Sequence, residues 1–383
     1  MCPRDRATLW RSMHGHPHAP AASTIVRLDV TPLDMPLTEP FAIAGSAPEV
    51  AHNLLVRVVL ADGTVGLGEA APFAAVSGET QVSTRAAAES CRDLLLGQDV
   101  RALRRLSAQL EEACPDEPAA RAGLEQALLD ASLRQRGTPM WSYFGGHGTT
   151  LQTDLTIPAG DSGHAIAATR AALSRGFTTL KIKVGALSPA EDAERVTAIH
   201  RTASEASPNA PVRLYLDANG GYSAPAALDL LARLERSAVP IALFEQPVAR
   251  TDRLGLLDVA RRSRVPICAD ESARTAADVL WLAQCSAVRA INLKLMKSGL
   301  SQTLAMYHVA RAAGLDLMIG GMVEGPIAMT VAAHLAAGLG GFSFVDLDTA
   351  LFIASHPFAA TGLQRHAHWD LGAAQAGHGI VLR

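Results

Sequence analysis

The feature that most constrains the fold of this sequence is a regular alternation of strand-like and helix-like segments between residues 150 and 350. Short apolar segments are separated by Ala-, Leu- and Arg-rich stretches with helical spacing, such as 190–206 and 224–236. The predicted strands are 152–157, 179–184, 212–217, 241–245, 266–270, 290–294, 316–320 and 342–346. Eight such units are typical of a β/α barrel. A doubly wound sheet also alternates, but no Gly-x-Gly-x-x-Gly follows these strands, which disfavours a dinucleotide-binding domain.

The residues before the alternating region have a different pattern, which indicates a separate α+β domain. Strands are predicted for 24–30, 53–60 and 65–69, and helices for 84–96 and 118–136. Ala61-Asp62-Gly63 is predicted to form the hairpin turn between the last two strands. We therefore divide the chain into a loose N-terminal extension (1–23), an α+β domain (24–140), a barrel (141–350) and a C-terminal segment (351–383) that packs back toward the α+β domain.

Composition and charge exclude several classes of protein. With 49% hydrophobic and 19% charged residues in 383, the chain can bury a core and is not disordered. A net charge of −3 argues against a nucleic-acid partner. Five scattered cysteines without Cys-x-x-Cys, and no apolar leader, predict a cytoplasmic protein. The uncharged stretch 325–345 is interrupted by Gly338-Leu339-Gly340-Gly341, so we predict a buried helix and a strand rather than a membrane span.

The carboxyl ends of the predicted strands are unusually polar. They read Lys181-Ile182-Lys183, Asp217-Ala218-Asn219, Glu245-Gln246-Pro247, Asp270-Glu271-Ser272, Lys294 and Asp346-Leu347-Asp348. Chemistry in a β/α barrel lies at these ends, so the side chains should converge on one mouth. Asp217, Glu245 and Asp270 on adjacent strands predict an oxygen-rich site for Mg²⁺, with Mn²⁺ as an alternative. Zinc is disfavoured because the set contains no His or Cys.

The lysines of this chain are few and unusually placed. Only Lys181, Lys183, Lys294 and Lys297 occur, so 30 of the 34 basic residues are arginine. Arginine keeps its proton, whereas lysine can lose it when its pKa is lowered. Lys181 and Lys183 share one face of a strand, so we expect their repulsion, together with a bound cation, to lower the pKa of one of them. Lys183 is then a candidate base, and Lys294 is expected across the barrel mouth from it.

These segments together resemble the enolase superfamily, in its muconate-lactonizing-enzyme subgroup. The motifs that carry the resemblance are KIKVG (181–185), LDANGGY (216–222), FEQP (244–247), ADES (269–272) and INLKLMKSG (291–299). The resemblance covers about residues 24–383 and implies a (β/α)7β barrel with an N-terminal α+β capping domain. It also implies one Mg²⁺ on the three carboxylates and abstraction of the proton α to a carboxylate. Lys183 and Lys294 are then the bases, and Lys181 assists through its charge.

Within that subgroup, VDLDT (345–349) is similar to the Asp-x-Asp motif of dipeptide epimerases. Its two carboxylates lie on one face of the last predicted strand, where they can bind a cation such as the free ammonium of a dipeptide. The implied substrate-binding residues are Thr156, Lys181, Gly321, Met322, Asp346, Asp348 and Ser46. Asn219, Glu271 and Glu324 are expected to support the catalytic groups from behind.

Two predicted capping loops define the expected substrate. In Ala-Glu epimerases an Arg of the first loop is expected to hold the acidic side chain, but the matching position here is Ser46, and 39–55 contains no Lys or Arg. An apolar wall is predicted instead, formed by Ala42, Ile43, Ala44, Ala74, Ala75 and Val76. Because a buried carboxylate needs a cationic partner, we expect dipeptides whose second residue is hydrophobic or uncharged. Within 39–55, His52 is the one residue that could contact such a carboxylate as a cation, and Glu49 and Glu79 leave a basic side chain as an alternative.

The leading interpretation is a Mg²⁺-dependent dipeptide epimerase, an isomerase of a small molecule. We expect a homo-oligomer with no nucleic-acid or membrane partner. One alternative is another reaction of the same subgroup, that of N-acylamino-acid racemase, o-succinylbenzoate synthase or muconate cycloisomerase, whose substrates offer no free ammonium to Asp346 and Asp348. The other is a non-catalytic barrel, which is disfavoured because no expected catalytic residue is missing.

Overall fold

The N-terminal domain is built on a three-stranded antiparallel sheet. The computed structural model describes residues 20–40, 47–359 and 361–383, so Ser46, the predicted wall residues 42–44 and most of the extension 1–23 lie outside the described residues. Strands β1 (Ile25–Pro36), β2 (Val50–Leu60) and β3 (Val65–Ala70) pair in this order. The predicted hairpin between β2 and β3 is confirmed, with Gly63 at a φ of 87° that favours glycine.

Six helices or helical turns follow this sheet in the part of the chain that the structure describes. They span Ala74–Ser77, Gln81–Ser90, Arg92–Leu95, Leu103–Ala113, Pro118–Gln135 and Met140–Tyr143. The predicted helix 84–96 differs from the structure at its start and in its continuity, and its end agrees to within one residue. It begins at Gln81, where Thr80 and Ser83 form a reciprocal cap, and it is interrupted at Cys91.

The helix Pro118–Gln135 lies directly against β3 and needs glycine on the strand. A Cβ atom at Gly68 would lie 2.1 Å from the Gly123 carbonyl oxygen, and one at Gly66 would lie 2.2 Å from the Ala127 carbonyl oxygen. Both distances are far inside van der Waals contact, so no larger residue fits. This close approach buries almost the whole helix between the N-terminal sheet and the barrel.

The predicted (β/α)7β barrel is confirmed. Its parallel strands are β5 (Leu155–Ile157), β6 (Thr179–Lys183), β7 (Arg213–Asp217), β8 (Leu243–Glu245), β9 (Ile267–Ala269), β10 (Ala290–Leu293), β11 (Asp316–Ile319) and β12 (Phe342–Val345), paired in sequence order. The Asp154 backbone N–H donates to the Val345 carbonyl (3.1 Å), which connects the first strand to the last. An apolar layer that includes Tyr215, Met318 and Phe344 fills the interior below the mouth.

The first predicted barrel strand, 152–157, is wrong in its first half. Only Leu155–Ile157 joins the barrel, whereas β4 (Thr150–Gln152) pairs with β14 (His368–Asp370), which in turn pairs with β13 (Gln364–Arg365). Alternation of apolar residues cannot tell these two sheets apart, because both need an extended chain.

The barrel helices surround the strands. They span Ser162–Ser174, Pro189–Ala206, Ala224–Arg236, Arg253–Arg262, Ala276–Cys285, Leu295–Ser298, Leu300–Ala312 and Pro326–Leu339, followed by a 3₁₀ turn at Thr349–Phe352. The uncharged stretch 325–345 forms a buried helix and β12, as predicted. Within the described ranges, no helix combines the length and the apolar character that a bilayer crossing requires.

The N-terminal domain and the C-terminal segment both pack on the barrel. Glu69 of β3 accepts the Gly325 N–H (2.6 Å) at the start of the helix Pro326–Leu339, and Glu125 accepts the Leu300 N–H (2.6 Å). The C-terminal segment contacts the N-terminal half through Arg134, which donates to the Ile380 carbonyl (2.6 Å). These contacts hold the N-terminal domain over the open ends of the strands.

Candidate active site

Strand register brings the predicted charged residues to one level of the barrel. Lys183 pairs with Asp217 across β6 and β7, and Asp217 pairs with Glu245 across β7 and β8. Residues at the same level of parallel strands point to the same side, which here is the interior. Asp270 and Lys294 directly follow β9 and β10. These side chains are all nearly inaccessible to solvent.

The lysines form a dense set of ion pairs with the carboxylates. Lys181 Nζ lies 3.0 Å from Asp217, 2.9 Å from Glu245 and 2.6 Å from Asp346. Lys183 Nζ donates to Asp217 Oδ2 (2.7 Å), and Lys294 Nζ lies 2.7 Å from Asp270 Oδ2. Lys183 and Lys294 therefore stand at the two ends of the row of three carboxylates.

The pKa of Lys181 is raised, so the lowering expected for one lysine of the pair does not occur at Lys181. Burial alone would lower the pKa of this ammonium, but the carboxylates of Asp217, Asp346 and Glu245 outweigh burial and raise the pKa. For Lys294, burial is likewise outweighed by Asp270 and Glu245, so its pKa is also raised. A divalent cation on the same carboxylates would weaken these ion pairs and act in the opposite direction.

The three carboxylates on β7, β8 and β9 fit a hard divalent cation. Asp217, Glu245 and Asp270 are each 0% exposed and supply only oxygen atoms. Among the described residues, Glu245 Oε2 and Asp270 Oδ2 have no hydrogen bond of acceptable geometry and are met only by lysine ammonium groups. Burial and the neighbouring Asp217 raise the pKa of Glu245 to about 8. Such a buried, repelling set favours a cation between its members.

A second group of carboxylates lies across the mouth, where the barrel closes. Carboxylate oxygens of Asp154, Asp346 and Asp348 lie within 4.8 Å of one another, and all three residues are buried. Asp348 Oδ2 accepts the Thr156 N–H (2.6 Å), which connects β5 to the end of β12. Burial and Asp346 raise the pKa of Asp348 to about 7. This edge of the mouth thus gathers three buried carboxylates, two of them from the Asp-x-Asp motif.

The predicted supporting residues lie beside the charged row. Asn219 accepts from Lys183 Nζ (3.1 Å) and donates to Glu271 Oε1 (3.2 Å). Burial and Asp270 raise the pKa of Glu271 to about 7, and burial raises that of Glu324 to about 8. Glu324 Oε1 accepts the Met322 N–H (2.8 Å), which fixes the turn after β11.

Asn292, Lys297 and Asp154 lie at the site but were not assigned to it from the sequence. Asn292 Nδ2 donates to Glu245 Oε1 (2.6 Å), and Lys297 Nζ donates to Asp270 Oδ1 (2.7 Å) and to the Asp270 carbonyl (2.6 Å). Both orient carboxylates of the row. The spacing of Asn292 and Lys294 on one strand face was a usable signal for the first. Asp154 lies two residues before Thr156, and this spacing likewise indicates that both side chains lie on one face of the extended chain.

The mouth holds a small cavity between these two charged edges. Its walls are Phe73, Val76, Thr156, Lys181, Lys183, Asn219, Lys294, Gly321, Met322, Val323, Asp346 and Thr349. The predicted residues Gly321 and Met322 thus lie at the cavity. Its volume of about 30 Å³ has room for only roughly two waters. Phe73 and Val76 belong to the second predicted capping loop (68–79), so a larger ligand requires this loop or the lysines to move.

A larger, apolar cavity lies on the N-terminal domain side. It has a volume of about 360 Å³ and shares Phe73 and Val323 with the mouth cavity. Its other walls are Pro48, Val50, Ala51, His52, Asn53, Pro72, Ala74, Ala75, Glu79, Thr80, Gln81 and Val82. His52 pairs with Asp34 (2.7 Å) rather than with the charged mouth. Burial raises the pKa of Glu79 to about 7.

Known protein families match both domains of this chain. The family model of the mandelate racemase / muconate lactonizing enzyme N-terminal domain matches residues 25–145, and the enolase C-terminal domain-like model matches 164–382. The aromatic dipeptide epimerase of Herpetosiphon aurantiacus is 49% identical over 94% of this chain and 99% of its own length. The hydrophobic dipeptide epimerase of Citrifermentans bemidjiense is 35% identical over 91% of this chain and 95% of its own.

A solved structure agrees with these relatives. The dipeptide epimerase from Enterococcus faecalis V583, complexed with Mg and the dipeptide L-Leu-L-Tyr, superposes with a TM-score of 0.88 at 31% identity, covering 93% of this chain and 99% of that one. The matches extend over both domains and over nearly the full length of each relative. The protein therefore belongs to the mandelate racemase / muconate lactonizing enzyme family of the enolase superfamily.

Proposed function

We propose that this protein is a Mg²⁺-dependent dipeptide epimerase that inverts the α-carbon of the second residue of a dipeptide. The observation that carries the proposal is the layout of the mouth. Lys183 and Lys294 stand at opposite ends of a row of buried carboxylates, and Asp346 lies at the facing edge. The relatives named for epimerisation of aromatic and hydrophobic dipeptides support the same reaction.

The two lysines perform the proton transfer. One lysine in its neutral form takes the α-proton from one face of the carbon, and the other, as an ammonium, returns a proton to the opposite face. The two amines exchange protonation states in each turnover and are reset by solvent. Asn219 holds Lys183 Nζ toward the carbon, and Asp270 does the same for Lys294. Lys181, bound to three carboxylates, contributes charge and no proton.

Asp217, Glu245 and Asp270 would hold the Mg²⁺, with Asn292 and Lys297 orienting two of them. Bound there, the ion supplies stabilisation of the second negative charge that develops at the substrate carboxylate when the α-carbon loses its proton. The structure of a relative with Mg and a dipeptide supports this assignment.

Asp346 and Asp348 would bind the free ammonium of the substrate, beside Thr156. Charge-assisted hydrogen bonds to a carboxylate pair give both affinity and a fixed orientation. This binding distinguishes a dipeptide from the N-acylated amino acids and other anions used elsewhere in the subgroup. The side chain of the second residue then faces the apolar cavity beside Phe73.

The test is to incubate the purified protein with Mg²⁺ and a panel of L,L-dipeptides in D₂O, and to follow deuterium incorporation by mass spectrometry and inversion by chiral chromatography. We expect one deuterium per inverted α-carbon with L-Ala-L-Phe, loss of activity in excess EDTA, and recovery with Mg²⁺. Turnover of N-acetyl-L-phenylalanine in preference to every dipeptide would instead favour the N-acylamino-acid racemase alternative. A homo-oligomer remains a prediction.

A further inference from the structure

The buried carboxylate of Asp154 has no role in the reaction described above. It lies directly before β5 and is 1% exposed. Its backbone N–H is tied to the Val345 carbonyl (3.1 Å), and the preceding Thr153 N–H to the Ala367 carbonyl (2.8 Å), so the residue is held from both sides. Among the described residues neither Asp154 Oδ1 nor Oδ2 has a hydrogen-bond partner. An ionised carboxylate without a donor is very costly in such a place.

The neighbours of this side chain are mostly acidic. Oxygens of Asp154, Asp346 and Asp348 approach within 4.8 Å of one another. The cation that faces the group is Lys181 on β6, which is shared with Asp217 and Glu245. Tyr215 on β7 also interacts with this carboxyl group, and this phenol stays neutral because burial raises its pKa to about 12. One shared ammonium cannot balance three carboxylates.

A proton on Asp154 itself would supply the missing donor. A carboxylic acid has one O–H to donate, and Asp346 offers the acceptor. With that proton in place, Asp346 and Asp348 carry at most −2, which the shared ammonium of Lys181 and a bound substrate ammonium come closer to balancing. Burial, Asp346 and Asp348 together raise the pKa of Asp154 well above its ordinary value, in agreement with this count.

We propose that Asp154 is a positioning residue that stays protonated at neutral pH and donates a hydrogen bond to Asp346, which fixes the Asp346–Asp348 pair for the substrate ammonium. The proposal rests on the proposed function for the identity of that ammonium. In this arrangement Asp154 does not touch the substrate. Its O–H contacts the Asp346 carboxylate, which in turn binds the substrate ammonium. Like the carboxylic acid, the amide of asparagine is neutral and can donate.

The test compares Asp154→Asn with Asp154→Ala, using exposed Asp161→Asn as a matched control at a helix cap that Asn also serves. With L-Ala-L-Phe we expect Asp154→Ala to raise KM about tenfold with a smaller change in kcat, and Asp154→Asn to restore KM to within about threefold of the wild type. A third anionic ligand for the ammonium would behave differently. If Asp154→Asn raises KM as much as Asp348→Asn does, the proposal is overturned.

An infrared measurement tests the proton without any turnover. Because other buried carboxyl groups such as Glu324 are also partly protonated at pH 8, we expect a protonated-carboxyl band in all three proteins, with one component that the wild type and Asp161→Asn share and Asp154→Asn lacks. No difference among the three proteins would overturn the proposal, even if Asp154→Ala fails to fold. If that component is present but no dipeptide is epimerised, the proposed function fails and the proton assignment stands.

Discussion

The two cavities above the barrel share Phe73 and Val323 in their walls but differ in volume and in the polarity of the residues that line them. The mouth cavity is small, about 30 Å³, and three of the chain's four lysines line it. The cavity on the N-terminal domain side is about 360 Å³ and is lined mainly by Pro, Val and Ala. In the proposed reaction the first cavity would supply the reacting groups and the second would hold the substrate side chain, so chemistry and specificity would be separated.

The separation follows from the elements that build each cavity. Charged groups in the mouth sit on or directly after strands whose register places them, as in the pairing of Lys183 with Asp217 and of Asp217 with Glu245. The apolar cavity is formed mainly by residues 72–82, which include the helical turn Ala74–Ser77 and the start of the helix Gln81–Ser90, and by one end of β2. Substitutions in the mouth should therefore abolish the reaction, whereas substitutions around the apolar cavity should redirect it.

The largest effect is expected at the two proposed bases. Lys294→Ala and Lys183→Ala should each lower kcat for epimerisation by about 10³-fold or more, because proton transfer on one face is lost. Each variant should still exchange the α-proton of the isomer that faces the remaining lysine, which NMR in D₂O can follow for L-Ala-L-Phe and L-Ala-D-Phe.

Lys294→Arg and Lys183→Arg are the matched controls, because arginine keeps the charge but cannot give up its proton. They should be as inactive as the alanine variants while unfolding at temperatures closer to that of the wild type. Epimerisation at wild-type rates in both alanine variants would disprove the two-base mechanism.

A smaller loss is expected at the opposite edge of the mouth. Asp348→Asn retains an oxygen that can accept the Thr156 N–H but removes a negative charge from the proposed ammonium site. We expect KM for L-Ala-L-Phe to rise roughly 10- to 100-fold, which corresponds to the free energy of one hydrogen bond to a charged group. The change in kcat should be smaller. The comparison substrate is N-acetyl-L-Ala-L-Phe, which has no ammonium and should be equally poor for both proteins. An unchanged KM for the free dipeptide would place its ammonium elsewhere.

The residues of the mouth cavity could be predicted from the sequence more completely than those of the apolar cavity. The barrel and the carboxylate row were predictable because strand ends of a β/α barrel converge, and one βα unit separates Asp217, Glu245 and Asp270 in sequence. Asp154 was overlooked although it shares a strand face with Thr156, because the predicted strand 152–157 merged two strands of different sheets.

The direction of the lysine pKa shifts needed distances that a sequence does not contain. Lys181 touches carboxylates from β7, β8 and the end of β12, and only the closed barrel brings these together. Specificity was harder still. The predicted wall combined residues 42–44 with 74–76, and the first of these segments lies outside the described residues. The second segment does line the two cavities, through Ala74, Ala75 and Val76.

The smallest expected effect concerns the choice of substrate. Among the residues that line the apolar cavity, none is Lys or Arg, and Glu79 there has a pKa raised to about 7 by burial. A substrate carboxylate in this cavity would lack a cationic partner and, above about pH 7, would meet a like charge. We expect kcat/KM for L-Ala-L-Phe and L-Ala-L-Leu to exceed that for L-Ala-L-Glu at least tenfold, about 1.4 kcal/mol. Phe73→Ala should reduce the advantage of the aromatic dipeptide, since Phe73 borders both cavities, while exposed Val26→Ala should leave it unchanged. A tenfold advantage for L-Ala-L-Glu would mean that a cation reaches the substrate side chain from outside these walls, and that specificity does not reside in the apolar cavity.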